Sequence, residues 1–242
     1  MMVYSGSDIG LRRDSNQDYC KTGIFEDGAA WAVVCDGMGG ANGGCTASST
    51  AAETISGILT QKYSSEMTSE QVRELMEQAV AAANTAVYEA ACNDPMLSGM
   101  GTTVVCAVAR NGVIHIVHAG DSRAYLFEHD RIIRITTDHS IVQELVSAGQ
   151  LTEEEAMKHP NRNIITRALG VDAGLRTDYN TMTFGSGAML IICTDGLSGY
   201  FADRDLCELI KKSSGQELVS GLIEAAKQHG GSDNITVAVI AA

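Results

Sequence analysis

Basic residues are scarce in this 242-residue chain: 17 Lys and Arg stand against 30 Asp and Glu, a formal net charge of −13. That balance opposes attraction to phosphate backbones and anionic lipid, so neither nucleic acid nor a membrane surface is an expected partner. No apolar run approaches the ~20 residues needed to cross a bilayer. The first residues, Met1 to Asp8, lack a basic segment followed by an apolar one, and the expected location is therefore the cytoplasm. Prolines number only two, and neither a Pro-, Ser- or Gly-rich linker nor an internal repeat divides the chain. A single domain over residues 1–242 is expected. The seven cysteines form no Cys-x-x-Cys pair, and several lie inside apolar runs, which reads as reduced core residues. None has an arginine six places downstream. That excludes a loop in which a cysteine nucleophile and a guanidinium wrap one phosphate.

What is present is enough apolar residue, 45% against 19% charged, to bury a substantial core. Period-two and continuous apolar runs predict strands at about 2–7, 19–25, 30–36, 102–110, 113–118, 123–128, 131–136, 177–184, 188–194 and 235–240. Helical spacing predicts helices at about 45–62, 70–92, 203–211 and 216–229, with residues 37–44 as a Gly-rich turn. Asn111-Gly112 and Glu128-His129-Asp130 are too short to connect anything but antiparallel neighbours. Residues 139–170 form a polar excursion with two short helical patterns, the second opened by the capping box Thr152 to Glu155, and read as a flap over a site. Strands and helices come in blocks, so the expected class is α+β with antiparallel sheets covered by helices.

Three acids stand at the borders of apolar runs: Asp36 after Ala32 to Cys35, Asp195 after Leu190 to Thr194, and Asp233 before Ile235 to Ile240. Each Asp alone is an ordinary turn residue. Together, strand ends that meet would make a carboxylate cage suited to Mg²⁺ or Mn²⁺, which prefer oxygen ligands and retain water. The glycine after Asp36 lacks a Cβ, so the backbone carbonyl of Gly37 can approach a cation closely. Two further acids, Asp18 and Asp121, lie in Arg13-Asp14-Ser15-Asn16-Gln17-Asp18 and Gly120-Asp121-Ser122-Arg123.

With Asp36-Gly37-Met38-Gly39-Gly40, Gly99-Met100-Gly101-Thr102-Thr103, Asn163 to Gly170, Thr194-Asp195-Gly196-Leu197 and Gly231 to Thr236, these motifs make the chain resemble the bacterial metal-dependent Ser/Thr phosphatases of the protein phosphatase 2C family. The resemblance runs almost end to end. It implies a four-layer α-β-β-α sandwich, two antiparallel sheets flanked by helices, forming essentially a bare catalytic domain. Two or three Mn²⁺ or Mg²⁺ ions are implied between the sheet ends. Asp36 is implied as the bridging ligand, Gly37 as a carbonyl ligand, and Asp195 and Asp233 as ligands of the first metal. Asp18 is implied in the shell of the second and Asp121 at a weaker third, with Arg13 clamping the substrate phosphate. The implied substrates are phosphoserine and phosphothreonine proteins, a Ser/Thr kinase among them, and the implied enzyme is a monomer.

The expected chemistry is in-line attack by a water that paired metals activate, without a phosphoenzyme. Where bacterial relatives commonly carry histidine after Gly-Met-Gly-Gly, this chain has Ala41, and Met38 stands where eukaryotic members have theirs, so the proton donor is open. The six histidines, at 115, 118, 129, 139, 159 and 229, offer candidates, of which His139 and His159 lie in the flap region. A phosphatase-like binding module that has lost catalysis is the alternative, and the intact acids and Arg13 argue against it. A nucleotide-binding reading of Gly37 to Gly44 fails because no Gly-Lys-Ser/Thr follows.

Overall fold

The computed structural model describes the backbone of residues 1–242 and every side chain except those of residues 41 and 42. Its elements in chain order are β1 (Met2–Asp8), β2 (Asp18–Ile24), β3 (Ala30–Met38), α1 (Gly40–Lys62), α2 (Ser69–Asn93), β4 (Gly101–Thr102), β5 (Val104–Arg110), β6 (Val113–Ala119), β7 (Arg123–Glu128) and β8 (Arg131–Arg134). There follow α3 (Ile141–Ser147), α4 (Glu153–Lys158), β9 (Asp178–Thr183), β10 (Met189–Cys193), α5 (Asp195–Ser198), α6 (Asp203–Ile210), α7 (Gly215–Gln228) and β11 (Ile235–Ala241). One sheet runs β1-β11-β10-β7-β8; the other runs β2-β3-β5-β6-β9, with β4 added to β3, and every pairing is antiparallel.

Three apolar layers hold these elements in the expected α-β-β-α order. Trp31, Val33 and Cys35 of β3 pack with Val104, Cys106 and Val108 of β5 against α1 and α2. Ile191, Cys193, Val237 and Val239 pack against α6 and α7. Between the sheets lie Ala30, Ala32, Val34, Val105, Ala107, Ala109, Ala124, Leu190, Ile192, Ala238 and Ile240. So many alanines on facing pleats let the sheets approach closely, and at the ~10 Å spacing of packed sheets a side chain from one readily meets its opposite.

Alternation along the strands then places the site. In β3 the even positions face the other sheet, so the next even residue after Ala30, Ala32 and Val34 is Asp36, at the end of the interlayer. The same count carries Asp18 behind Cys20, Thr103 before Val105, and Thr194 and Thr236 beside Ile192 and Ala238. The apolar interlayer thus turns polar at one edge, where the pleat of β2, β3 and β11 brings Asp18, Asp36 and Thr236 and the residues flanking β5 and β10 add Thr103 and Thr194.

Three local expectations are corrected. The strand expected over 102–110 is interrupted at Thr103, because the Asp36 amide donates to Thr103 Oγ1 at 3.0 Å while Thr103 N donates to Asp36 O at 2.8 Å. The turn expected over 37–44 is shorter: β3 continues to Met38 and α1 begins at Gly40, five residues before the expected 45. Asp195-Gly196, read as the turn ending a strand, instead opens the short helix α5. The tight hairpins hold, with positive φ at Asn111 (47°), Gly112 (73°), His129 (49°) and Asp130 (58°). Thr152 and Glu155 form the capping box that starts α4.

Candidate active site

At the polar edge of the interlayer a cavity of about 530 Å³ is lined by Arg12, Arg13, Asp36, Gly37, Asp121, Asn163, Asp195 and Asp233, among others. Asp18 lies behind this wall, buried, with Oδ2 accepting from Thr194 Oγ1 at 2.8 Å. The structure therefore brings together all seven site residues named from the sequence. Neither His139 nor His159 lines the cavity: His139 is buried, and the half-buried His159 ends α4 with Nδ1 accepting from Asn161 N at 3.1 Å. The described lining thus brings neither flap histidine to the acids, and position 41 falls outside the described side chains.

The electrostatics are those of a site built for a cation. Burial, and then the charges of Asp18, Asp195, Asp121 and Asp233, push Asp36 well above the usual carboxylate range. Burial followed by the charge of Asp195 does the same to Asp121, and burial followed by Asp233 raises Asp195. Asp18 is pushed up to about 7, chiefly by burial, with hydrogen bonds from Thr236 and Thr194 opposing. Among the described residues, Asp18 Oδ1 and Asp195 Oδ1 are buried without a partner. Clustered, desolvated carboxylates with orphaned oxygens fit a hard divalent cation, which would supply the missing charge and ligand. Gly37 fits as well: a Cβ there would overlap the carbonyl oxygen of Gly44 and approach Gln17 O at 2.6 Å, so only glycine permits this backbone approach.

The cation paired with these acids is Arg13, half-exposed, with Nη2 2.7 Å from Asp233 Oδ2. Its loop is held by a residue that sequence reasoning passed over. Asn234 accepts from Gln17 N at 2.8 Å and donates through Nδ2 to Ile9 O at 2.9 Å and Ser15 O at 3.0 Å, tying both ends of the Arg13 loop to β11. Its place beside Asp233 was the available signal. Thr194, Thr236 and Ser7 were also missed; they form a hydroxyl chain behind Asp18, with Thr236 N donating to Thr194 Oγ1 at 3.0 Å and Ser7 Oγ 2.7 Å from Thr236 Oγ1.

These shifts have a consequence for the metal-free protein. A carboxyl whose folded pKa lies near 7, against about 3.9 unfolded, binds a proton more tightly in the folded state, so its contribution is full below pH ~4 and is lost as pH rises to about 7. Metal-stripped protein is expected to be more stable to urea at pH 5 than at pH 8. Added Mn²⁺ should stabilise it more at pH 8, where protons no longer compete. Equal stability at both pH values without metal would contradict the desolvated cluster.

Fold and site together define a two-sheet sandwich whose sheet ends enclose an acidic, cation-binding cleft. Residues 11–230 match the family model described as protein phosphatase 2C. The serine/threonine phosphatase stp of Listeria innocua is 34% identical over 237 residues, covering 97% of this chain and 93% of that protein. The solved serine/threonine phosphatase of S. agalactiae superposes with a TM-score of 0.91 at 32% identity, covering 100% of this chain and 99% of that one. The catalytic domain of the serine threonine protein phosphatase PstP, solved in complex with 2 manganese ions, superposes with a TM-score of 0.86 at 30% identity, covering 98% of this chain and 96% of that one. The chain belongs to the protein phosphatase 2C family.

Proposed function

We propose that the chain is a metal-dependent protein serine/threonine phosphatase. The observation that carries this reading is the convergence of Asp36, Asp121, Asp195 and Asp233 on one cavity, with Asp18 behind them and Arg13 at its rim. Asp36, the Gly37 carbonyl, Asp195 and Asp233 would hold the principal Mn²⁺ or Mg²⁺ ions, Asp18 would belong to the shell of the second ion, and Asp121 would take a weaker third. When bound, such ions supply Lewis acidity toward phosphoryl oxygens and lower the pKa of the attacking water.

The protein's own part is positioning. Arg13 offers a planar, permanently charged fork to the equatorial phosphate oxygens. Half-exposed at the rim, it can meet a phosphate that enters from solvent. None of the described cavity-lining residues is a histidine, so the leaving alkoxide has no imidazole donor in this lining. All the acids are retained, and nothing at the site favours a binding module without catalysis.

The proposed substrates are proteins carrying phosphoserine or phosphothreonine, a Ser/Thr kinase among them, and the proposed enzyme is a cytoplasmic monomer. The net charge of −13 supports the exclusion of nucleic acid, and among the described residues no helix is long and apolar enough to cross a membrane. Residues 1–242 are proposed as one catalytic domain with residues 139–170 as its flap; the pairing of β1 with β11 across the whole chain supports this.

Phosphate release from a phosphothreonine peptide is expected with Mn²⁺ and should be abolished by EDTA and restored by excess metal. Turnover surviving exhaustive chelation, or lost to a thiol alkylator with every acid intact, would overturn the reading.

A further inference from the structure

His118, His139 and Asp178 present ligand atoms within 4.8 Å of one another, the spacing of a transition-metal site away from the acidic cleft. The hydrogen bonds of His139 and Asp178 give these two another use. The Gly120 amide donates to His139 Nδ1 at 3.1 Å, so the neutral ring carries its proton on Nε2, facing Asp178 Oδ2 at 3.2 Å. No lone pair remains on Nε2 for a metal. The Arg167 guanidinium, paired with Asp178 Oδ1 at 2.8 Å, already supplies the positive charge there.

The network points elsewhere. His139 grips both peptide units that flank the Gly120 Cα: its ring accepts the Gly120 N–H, and its own N–H donates to Gly120 O at 2.9 Å. The His139 carbonyl accepts from Thr166 N at 2.8 Å, joining the far end of the flap to the same point, and the ring stacks on His118 with centroids 4.7 Å apart. Gly120 directly precedes Asp121 and has φ 107°, a conformation open to glycine, where a Cβ would also meet Thr103 Cγ2 at 2.5 Å. On the other side of Asp121, Ser122 Oγ lies 2.7 Å from Thr103 Oγ1, the hydroxyl that receives the Asp36 amide. A carboxylate among like charges gains by swinging away, so its backbone must be held.

We propose that His139 is the positioning residue for Asp121: it locks the Gly120 peptide, and through it the aim of the Asp121 carboxylate, and links that aim to the base of the flap. The inference rests on the reading of Asp121 as a ligand of the weakest-bound cation.

Calorimetric titration of metal-stripped protein with Mn²⁺ tests both. His139→Asn keeps an acceptor oxygen near the Nδ1 position, whereas His139→Gln carries its amide toward Nε2 and leaves the Gly120 N–H unserved. His139→Gln is expected to weaken the lowest-affinity Mn²⁺ step by roughly 10–100-fold, the scale for a lost outer-shell partner, with the tighter steps unchanged; His139→Asn should retain the wild-type step. Equal losses in the two variants, or a wild-type step in His139→Gln beside a lost one in Asp121→Asn, would overturn the inference alone. A weak step surviving Asp121→Asn would overturn the ligand reading beneath it. Hydrogen exchange on the wild-type protein gives a check free of any folding defect: the Gly120 amide should be protected without metal, and free exchange there would refute the lock.

Discussion

Replacing Asp36 with asparagine is expected to lower kcat on a phosphothreonine peptide by at least ~10³-fold, beyond the ~10–100-fold typical of an outer-shell change. Asp36 is the acid on which all the others act, namely Asp18, Asp195, Asp121 and Asp233. Asparagine keeps the shape and removes the charge that offsets the cations. The amide nitrogen of residue 36 still donates to Thr103 Oγ1, because that bond belongs to the backbone. The fold should therefore persist, and the metal-free variant should be more stable than wild type at pH 8, having shed a buried charge among like charges. Circular dichroism, urea unfolding and single-turnover kinetics separate these effects. Near-normal turnover with wild-type Mn²⁺ affinity would remove Asp36 from the centre of the site.

The second large effect belongs to Arg13→Ala, with a different signature. Hydrogen bonds to charged groups contribute ~1.5–3 kcal/mol, so losing a two-pronged clamp should lower kcat/KM by roughly 10²-fold or more. Arg13 also sits on Asp233 Oδ2 at 2.7 Å, a position a cation would contest. Removing the guanidinium frees that carboxylate, so Mn²⁺ affinity should stay level or rise while catalysis falls. Arg13→Lys should recover charge without the fork and give an intermediate value. An unchanged kcat/KM would return Arg13 to an ordinary surface charge, and a parallel fall in metal affinity would make it a structural support of the loop.

Much of the site was legible because strand periodicity and acid position are both written locally. Asp36 follows Val34 by two residues and so shares its face, and the hairpins at Asn111-Gly112 and His129-Asp130 follow from turn chemistry. What could not be read locally is where elements meet. Nothing near Met2 says that β1 pairs with β11, Met2 opposite Ala241. The Gly-rich stretch after Asp36 suggested a long turn, yet a Cβ on Gly44 would lie 2.7 Å from Gln17 Cδ. That glycine serves close packing inside a helix, a tertiary demand that overrides its poor helix propensity. Thr103 and Asn234 were invisible as functional residues for the same reason, and His139 was named for a different role, since each acts on a backbone group distant in the chain.

Because the acids of β2 and β3 owe their direction to the pleat, these strands count residues in odd and even numbers. Removing one residue between Ala30 and Val34 would exchange the two faces and send Asp36 toward the layer that holds Trp31 and Val33. Removing two would restore the direction and shift the carboxylate by about 7 Å, one full pleat. Neither leaves a working cage. Clefts of this construction can therefore diversify in their loops and flaps while the strands beneath them are held to fixed lengths, so that parity in the strands constrains the chain as firmly as the identity of any one acid.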